Sequence, residues 1–246
     1  MSSSKNKVAL VTGASRGIGA AIAERLAKDG FTVVINYSGN VALAAELVQR
    51  IERDGGKALT AQADVSNPEA VRRMFDAAEA AFGGIDVLVN NAGVMQLSSI
   101  AEADDANFDR QVSVNLKGTF NTLREAGKRL RNGGRIINFS TSVVGLKLEN
   151  YGVYAATKAA VETLTAIMSK ELRGRNITVN AVAPGPTATD LFLDGKSDEL
   201  IARMAKMNPL EHLGTPEDIA ASVSFLAGSD GSWINGQVLR ANGGMV

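Results

Sequence analysis

The stretch YGVYAATKAAVETL, residues 151–164, sets a tyrosine and a lysine four residues apart at the head of an alanine-rich, helix-like segment. Both groups ionise near pH ~10 when free in water. In a helix, positions i and i+4 lie one turn apart on the same face, so Tyr154 and Lys158 can act on one small volume. Tyr151 precedes that turn and is a rival, but its own i+4 position is Ala155. Such pairs are common on ordinary helices, and the meaning of this one depends on what the rest of the chain brings to it.

A second chemical feature stands near the start. TGASRGIGAAIAERLAKDG follows an apolar run and places Gly13, Gly17 and Gly19, interleaved with Ser15, Arg16 and Ile18, ahead of an amphipathic helical pattern. A strand, a glycine-rich turn and a helix start make an anion site, because glycine lets backbone approach a pyrophosphate and the free N–H groups of the helix face it. The spacing is G-x-x-x-G-x-G rather than the more familiar G-x-G-x-x-G. About 20 residues further on, an acidic side chain would bind the adenosine ribose and repel a 2′-phosphate. INYSGN stands there instead, with Asn36, Tyr37 and Ser38 and no acid, while Arg16 can meet a phosphate and Ser38 can donate to it. The sequence therefore points to NADP(H) over NAD(H).

These residues need a scaffold, and the hydrophobic pattern supplies one. Val8 to Thr12, Thr32 to Tyr37, Ala58 to Gln62, Val87 to Asn90, Arg135 to Phe139, Ile177 to Ala183 and Val238 to Ala241 read as strands separated by helical segments. Runs such as VALVT and TVVIN are apolar without alternation, as strands covered by helices on both faces must be. The expected fold is α/β: a Rossmann-like doubly wound parallel sheet of about seven strands with helices on both faces. With no linker, repeat or low-complexity run, residues 1–246 are expected to form one dinucleotide-binding domain. Pro184 to Gly214, rich in Pro and Gly, reads as a long connection that serves as a substrate loop or lid.

Composition narrows the functions. Lys plus Arg and Asp plus Glu both number 26, so no basic surplus draws the chain to nucleic acid or an anionic membrane. The absence of cysteine removes disulfides, thiolate metal sites and a cysteine nucleophile, and suits a reducing cytoplasm. His212 is the only histidine, which argues against a Ser-His-Asp triad or a multi-histidine metal site. The start MSSSKNKVALVTG has no apolar core of a secretory leader, and no stretch reaches the ~20 apolar residues of a membrane span.

Taken in order, several motifs resemble the short-chain dehydrogenase/reductase family, from about Lys7 to Gly244. TGASRGIG resembles its cofactor turn, DVLVNNAG the motif after its fourth strand, and VNLKGTF the helix carrying Asn115. RIINFSTSVVG resembles its serine strand, YAATK its Tyr-x-x-x-Lys, ITVNAVAPGPTATD its Pro-Gly motif and GQVLRANGG its last strand. The pattern is similar both to 3-oxoacyl-thioester reductases and to reductases of cyclic and aromatic ketones.

The resemblance implies that a ketone is reduced by hydride from nicotinamide while Tyr154 supplies the proton. Lys158 would hold the nicotinamide ribose and, as an ammonium, lower the phenol's pKa. A hydroxyl is expected to orient the carbonyl. The Ser-x-x-Gly in SVVG selects Ser142, whereas a spacing of thirteen residues before the tyrosine selects Thr141; Ser142 is the expectation adopted, with Ser140 and the remaining hydroxyl as caps or cofactor contacts. Asn115 would kink its helix and hold a water for proton supply. Asp64 and Val65 would flank adenine, and Asn91, Ala92 and Gly93 would line the ribose. Pro184, Gly185, Thr187 and Thr189 would face the carboxamide and pyrophosphate. The family also implies a homotetramer acting on a small carbonyl compound. A cofactor-binding sensor without turnover is the alternative, but it has no need to keep both Tyr154 and Lys158.

Overall fold

The computed structural model describes residues 7–246, so the first six residues of the start read above as leader-free lie outside the described residues. The strands are β1 (Val8–Val11), β2 (Thr32–Tyr37), β3 (Lys57–Gln62), β4 (Val87–Asn90), β5 (Arg135–Phe139), β6 (Thr178–Pro184) and β7 (Val238–Ala241). They form one sheet in the order β3-β2-β1-β4-β5-β6-β7. Every pairing is parallel. The strands read from the sequence match these to within one residue at either end.

The helices are α1 (Gly17–Lys28), α2 (Val41–Arg53), α3 (Pro68–Phe82), α4 (Asp105–Gln111), α5 (Thr119–Arg129), α6 (Val143–Leu146), α7 (Gly152–Glu171), α8 (Asp190–Leu193), α9 (Asp198–Ala205) and α10 (Pro216–Ala227). A π-helical stretch, Val112–Gly118, joins α4 to α5. Strand side chains alternate between two cores. Ala9 and Val11 pack with α1, α2 and α10 on one face, while Val8 and Leu10 pack with α3, α5 and α7 on the other. This two-sided burial is why β1, β4 and β5 are buried throughout. Among the described residues no helix is long and apolar enough to cross a membrane.

Two features of this frame position a site. Strand order reverses between β1 and β4, and the carboxyl ends of strands at such a switch open a crevice. Helix ends also differ. Asn40, Asn67 and Thr215 cap α2, α3 and α10 with their side chains, the last in a full capping box with Asp218. Helix α1, which points its start at the crevice, has no side-chain cap and no acid in its first turn.

Candidate active site

The crevice is built by the turn after β1 and a brace from β4. Gly13 has φ 61° and packs so closely on the next loop that a β-carbon there would lie 2.8 Å from Ala92 Cα. At Gly19 a β-carbon would fall 2.6 Å from Asn91 Nδ2 and closer still to the Gly13 carbonyl. Asn91 Nδ2 donates to the carbonyls of Thr12 and Gly13 at 2.9 and 3.0 Å, and Thr12 Oγ1 accepts from Ala92 N. The turn is thus held open around the uncapped start of α1, a cradle suited to a dinucleotide pyrophosphate.

Every residue predicted for the cofactor between Gly13 and Gly93 lines this crevice. The side chain of Asn36 is turned inward: its Oδ1 accepts from Gly13 N and its Nδ2 donates to Ala61 and Ala63 carbonyls, so it shapes the turn. Ser38 and Arg16 are exposed at the rim. Asp64 accepts from Ser66 N and Oγ beside Val65. Arg110 of α4 also lines the crevice, a cation that sequence reasoning missed because no motif marks it.

Asn91, Gly93, Ile18 and Thr189 border both the crevice and a second cavity, which makes the two continuous. Tyr154, Lys158, Pro184, Gly185 and Thr187 line that cavity. Gly185 sits where a β-carbon would be 2.9 Å from Asn242 Cα, and Thr189 caps α8 through Phe192 N. Lys158 is 4% exposed and donates from Nζ to Phe139 O at 2.9 Å, with Nζ 5.8 Å from the Tyr154 ring centre. Asn115, in the middle of the π-helical stretch, donates to Val94 O and accepts from Val94 N. Its Oδ1 and Lys158 Nζ both converge on Gly93, 3.3 and 3.5 Å from where a β-carbon would stand.

The electrostatics depart from expectation. Burial pushes the Tyr154 phenol up to about 12, a hydrogen bond with Thr141 opposes this, and Tyr151 adds to it. Burial pushes Lys158 down to about 8. The phenol is raised and not lowered as predicted, because burial disfavours its charged form. The two candidate hydroxyls are held differently. Thr141 lies beside Tyr154 and favours its ionised form, and its Oγ1 accepts from Val143 N at 3.3 Å. Ser142 is 3% exposed, and its Oγ donates to Ala183 O at 3.3 Å and accepts from Asn242 Nδ2 at 2.9 Å. Tyr151 meets Tyr154 edge-on at 6.4 Å between ring centres, as a wall of the cavity.

A family model described as Enoyl-(Acyl carrier protein) reductase matches residues 13–246. Over 250 residues the chain is 48% identical to a short-chain type dehydrogenase/reductase of Picea abies, covering 98% of this chain and 92% of that protein. The chain belongs to the short-chain dehydrogenase/reductase family. Another member, the NADPH-dependent aldehyde reductase-like protein, chloroplastic, of Arabidopsis thaliana, is 44% identical over 254 residues, 98% of this chain and 94% of that one. Among solved structures, the angucycline C-6 ketoreductase LanV with bound NADP is similar at TM-score 0.94 and 36% identity, covering 99% of this chain and 96% of that chain.

As a short-chain dehydrogenase/reductase, the protein carries a cavity whose outer wall the sequence revealed only in part. Met95, Leu146, Leu148, Leu191, Phe192, Met204, Met207 and Met245 surround the tyrosine, and among the described residues Lys158 is the single charged one lining it. Met204 and Met207 belong to the long connection that the sequence marks as a loop or lid, whereas Met245 arrives from beyond β7, where Asn242 ties the chain to Ser142 across the fold.

Proposed function

We propose that the protein is an NADPH-dependent reductase that interconverts an uncharged ketone or aldehyde and its alcohol, with Tyr154 as general acid and base. The observation that carries this is the meeting of Tyr154, Thr141 and Lys158 in an apolar cavity continuous with a dinucleotide crevice. When bound, NADPH supplies the hydride. Gly13, Gly17 and Gly19 would hold its pyrophosphate, and Arg16 and Ser38 its 2′-phosphate. The raised phenol is protonated at neutral pH, the state that reduction needs, and Tyr154 gives its Oη proton to the carbonyl oxygen as that oxygen gains charge. Thr141 donates a hydrogen bond that orients the carbonyl. Lys158, held near 8, exchanges a proton close to neutrality, and Asn115, which converges with it on Gly93, would hold a water for that exchange.

The apolar lining favours neutral substrates over keto acids or phosphorylated sugars, whose anions would be buried without a partner. Aromatic or cyclic ketones and aldehydes fit this lining, and a 3-oxoacyl thioester fits through its acyl end. We read residues 184–214 as the substrate loop, and the exposed Phe120, Ile167, Phe225 and Trp233 as support for association into a homotetramer. A cysteine-free chain of this kind suits the cytoplasm.

The test is oxidation of NADPH, with NADH in parallel, against an aromatic ketone, an aromatic aldehyde, a cyclic diketone and an acetoacetyl thioester. Turnover with NADPH, and a fall of about a thousandfold in Tyr154→Phe with NADPH binding retained, is the expected result. Tight NADPH binding with no turnover of any carbonyl would favour the sensor, and a preference for NADH would overturn the roles given to Arg16 and Ser38.

A further inference from the structure

Three consecutive residues at the end of β5 are each held by a different side chain of α7. Asn138 donates from Nδ2 to Thr165 Oγ1 at 2.8 Å, Phe139 accepts from Lys158 Nζ at 2.9 Å, and Ser140 donates from Oγ to Glu162 Oε1 at 2.5 Å. Tyr154, Lys158 and Glu162 follow one another at four-residue steps on one helix face. The Ser140 contact differs from its neighbours because its acceptor is a carboxylate. Charge-assisted O–H···O⁻ bonds run at about 2.5–2.7 Å and are about twice as strong as neutral ones.

Ser140 is 3% exposed and Glu162 is half-buried, and among the described residues no cation is paired with this carboxylate. Glu162 does not line the cavity, so direct contact with substrate is not its role. Its serine does stand immediately before Thr141. The main chain on either side of Thr141 is fixed to β6, with Ser140 N donating to Val182 O and Ser142 N to Pro184 O. Those bonds fix the height of the turn above the sheet. Thr141 Oγ1 itself accepts from Val143 N at 3.3 Å, and the side-chain bond that joins the residue before it to the helix bearing Tyr154 is that of Ser140 to Glu162.

We propose that Glu162 is a positioning residue that, through Ser140, aims the Thr141 hydroxyl at Tyr154. This rests on the reading of Thr141 as the group that orients the carbonyl. Glu162→Ala, Glu162→Gln, Ser140→Ala and Thr141→Ala are compared for kcat and KM on the panel carbonyl that wild type reduces fastest, for NADPH affinity by fluorescence titration, and for Tm. Glu162→Ala and Ser140→Ala should each lower kcat about tenfold while KM and NADPH affinity stay within about twofold, since small misplacements of catalytic groups act on the chemical step. Glu162→Gln, whose amide oxygen still accepts from Ser140, should recover most of the loss. Alcohol oxidation should also switch on at higher pH in Glu162→Ala, as in Thr141→Ala, because the Thr141 bond opposes the rise of the phenol.

An unchanged kcat in Glu162→Ala beside a damaged Thr141→Ala overturns the proposal and leaves the Thr141 reading standing. An undamaged Thr141→Ala overturns both. Joint loss of kcat, NADPH affinity and Tm without rescue by Gln also overturns it, by assigning Glu162 to packing alone. Should Glu162→Ala fail to fold, Ser140→Ala removes the same bond with a smaller change and decides on the same readouts.

Discussion

The two walls of the cavity are built in opposite ways. The wall of β5 and α7 is fixed by buried side chains: Thr157, Lys158, Val161, Thr165 and Met168 of α7 are all buried, and Asn138 is fully so. The facing wall, residues 187–214, has no buried residue in α8 or α9 and leaves Leu191, Met207 and Leu210 at 54%, 43% and 62% exposure. That segment folds on local devices, with Thr189 and Ser197 capping its helices and a neck closed by Ala188 N to Gly214 O and Gly214 N to Pro186 O. One wall has many mutually dependent contacts and the other has few. On the function proposed, proton chemistry, which depends on tenths of an ångström, would sit on the first, and selection among carbonyl compounds, which tolerates rearrangement, on the second.

If this contrast is correct, the largest effect after removal of Tyr154 lies in the fixed wall. Thr141→Ala should lower kcat by about thirty- to a hundredfold, and Ser142→Ala by less than about fivefold, because an unpaired buried donor costs more where the reaction uses it. The reverse ranking in steady-state assays would return the orienting role to Ser142. On the sparsely packed wall, Met204→Ala and Met207→Ala should raise KM for the carbonyl about three- to tenfold with kcat within about twofold, the signature of lost uniform binding. A kcat collapse there would erase the distinction between the walls.

The smallest effect is one of stability. Between about pH 8 and 10.5 the unfolded chain holds a proton on Lys158 that the folded chain has released, so stability rises with pH across that window. Wild type should therefore gain on Lys158→Met in denaturant titrations as pH rises, by at most roughly 1.4 kcal/mol per pH unit, and the gain should be absent below pH 8. Equal pH dependence of the two proteins would show that Lys158 is better solvated than its burial indicates.

Much of this was legible in the sequence. The central strands announce themselves because residues buried on both faces must be apolar in unbroken runs, and the glycine turn because backbone crowding at Gly13 and Gly19 leaves no room for a side chain. Tyr154 and Lys158 are linked by helical spacing alone. The choice between Thr141 and Ser142 was not settled, since two spacing rules disagreed and the orientation of the turn depends on partners in α7 and β6. Asn242, Met245 and Glu162 were missed for a related reason: each acts across a long stretch of chain, and neither periodicity nor motif encodes that proximity. The direction of the Tyr154 shift was misjudged because a sequence shows a neighbouring charge but not the depth of burial.

The pairing of β1 with β4 also bears on how the protein folds. Val8 N donates to Asp86 Oδ2 across 78 residues, and Leu10 lies opposite Leu88 in the sheet. A chain growing from the ribosome makes the glycine turn early, yet Asn91 and Ala92, which hold that turn in shape, arrive only after β2, β3 and three helices have been made. Closing so distant a contact is a late and slow event in folding. A fragment ending at α3 should own the whole phosphate-binding motif and still fail to retain the nucleotide, so nucleotide capture in a refolding experiment would time the completion of the sheet.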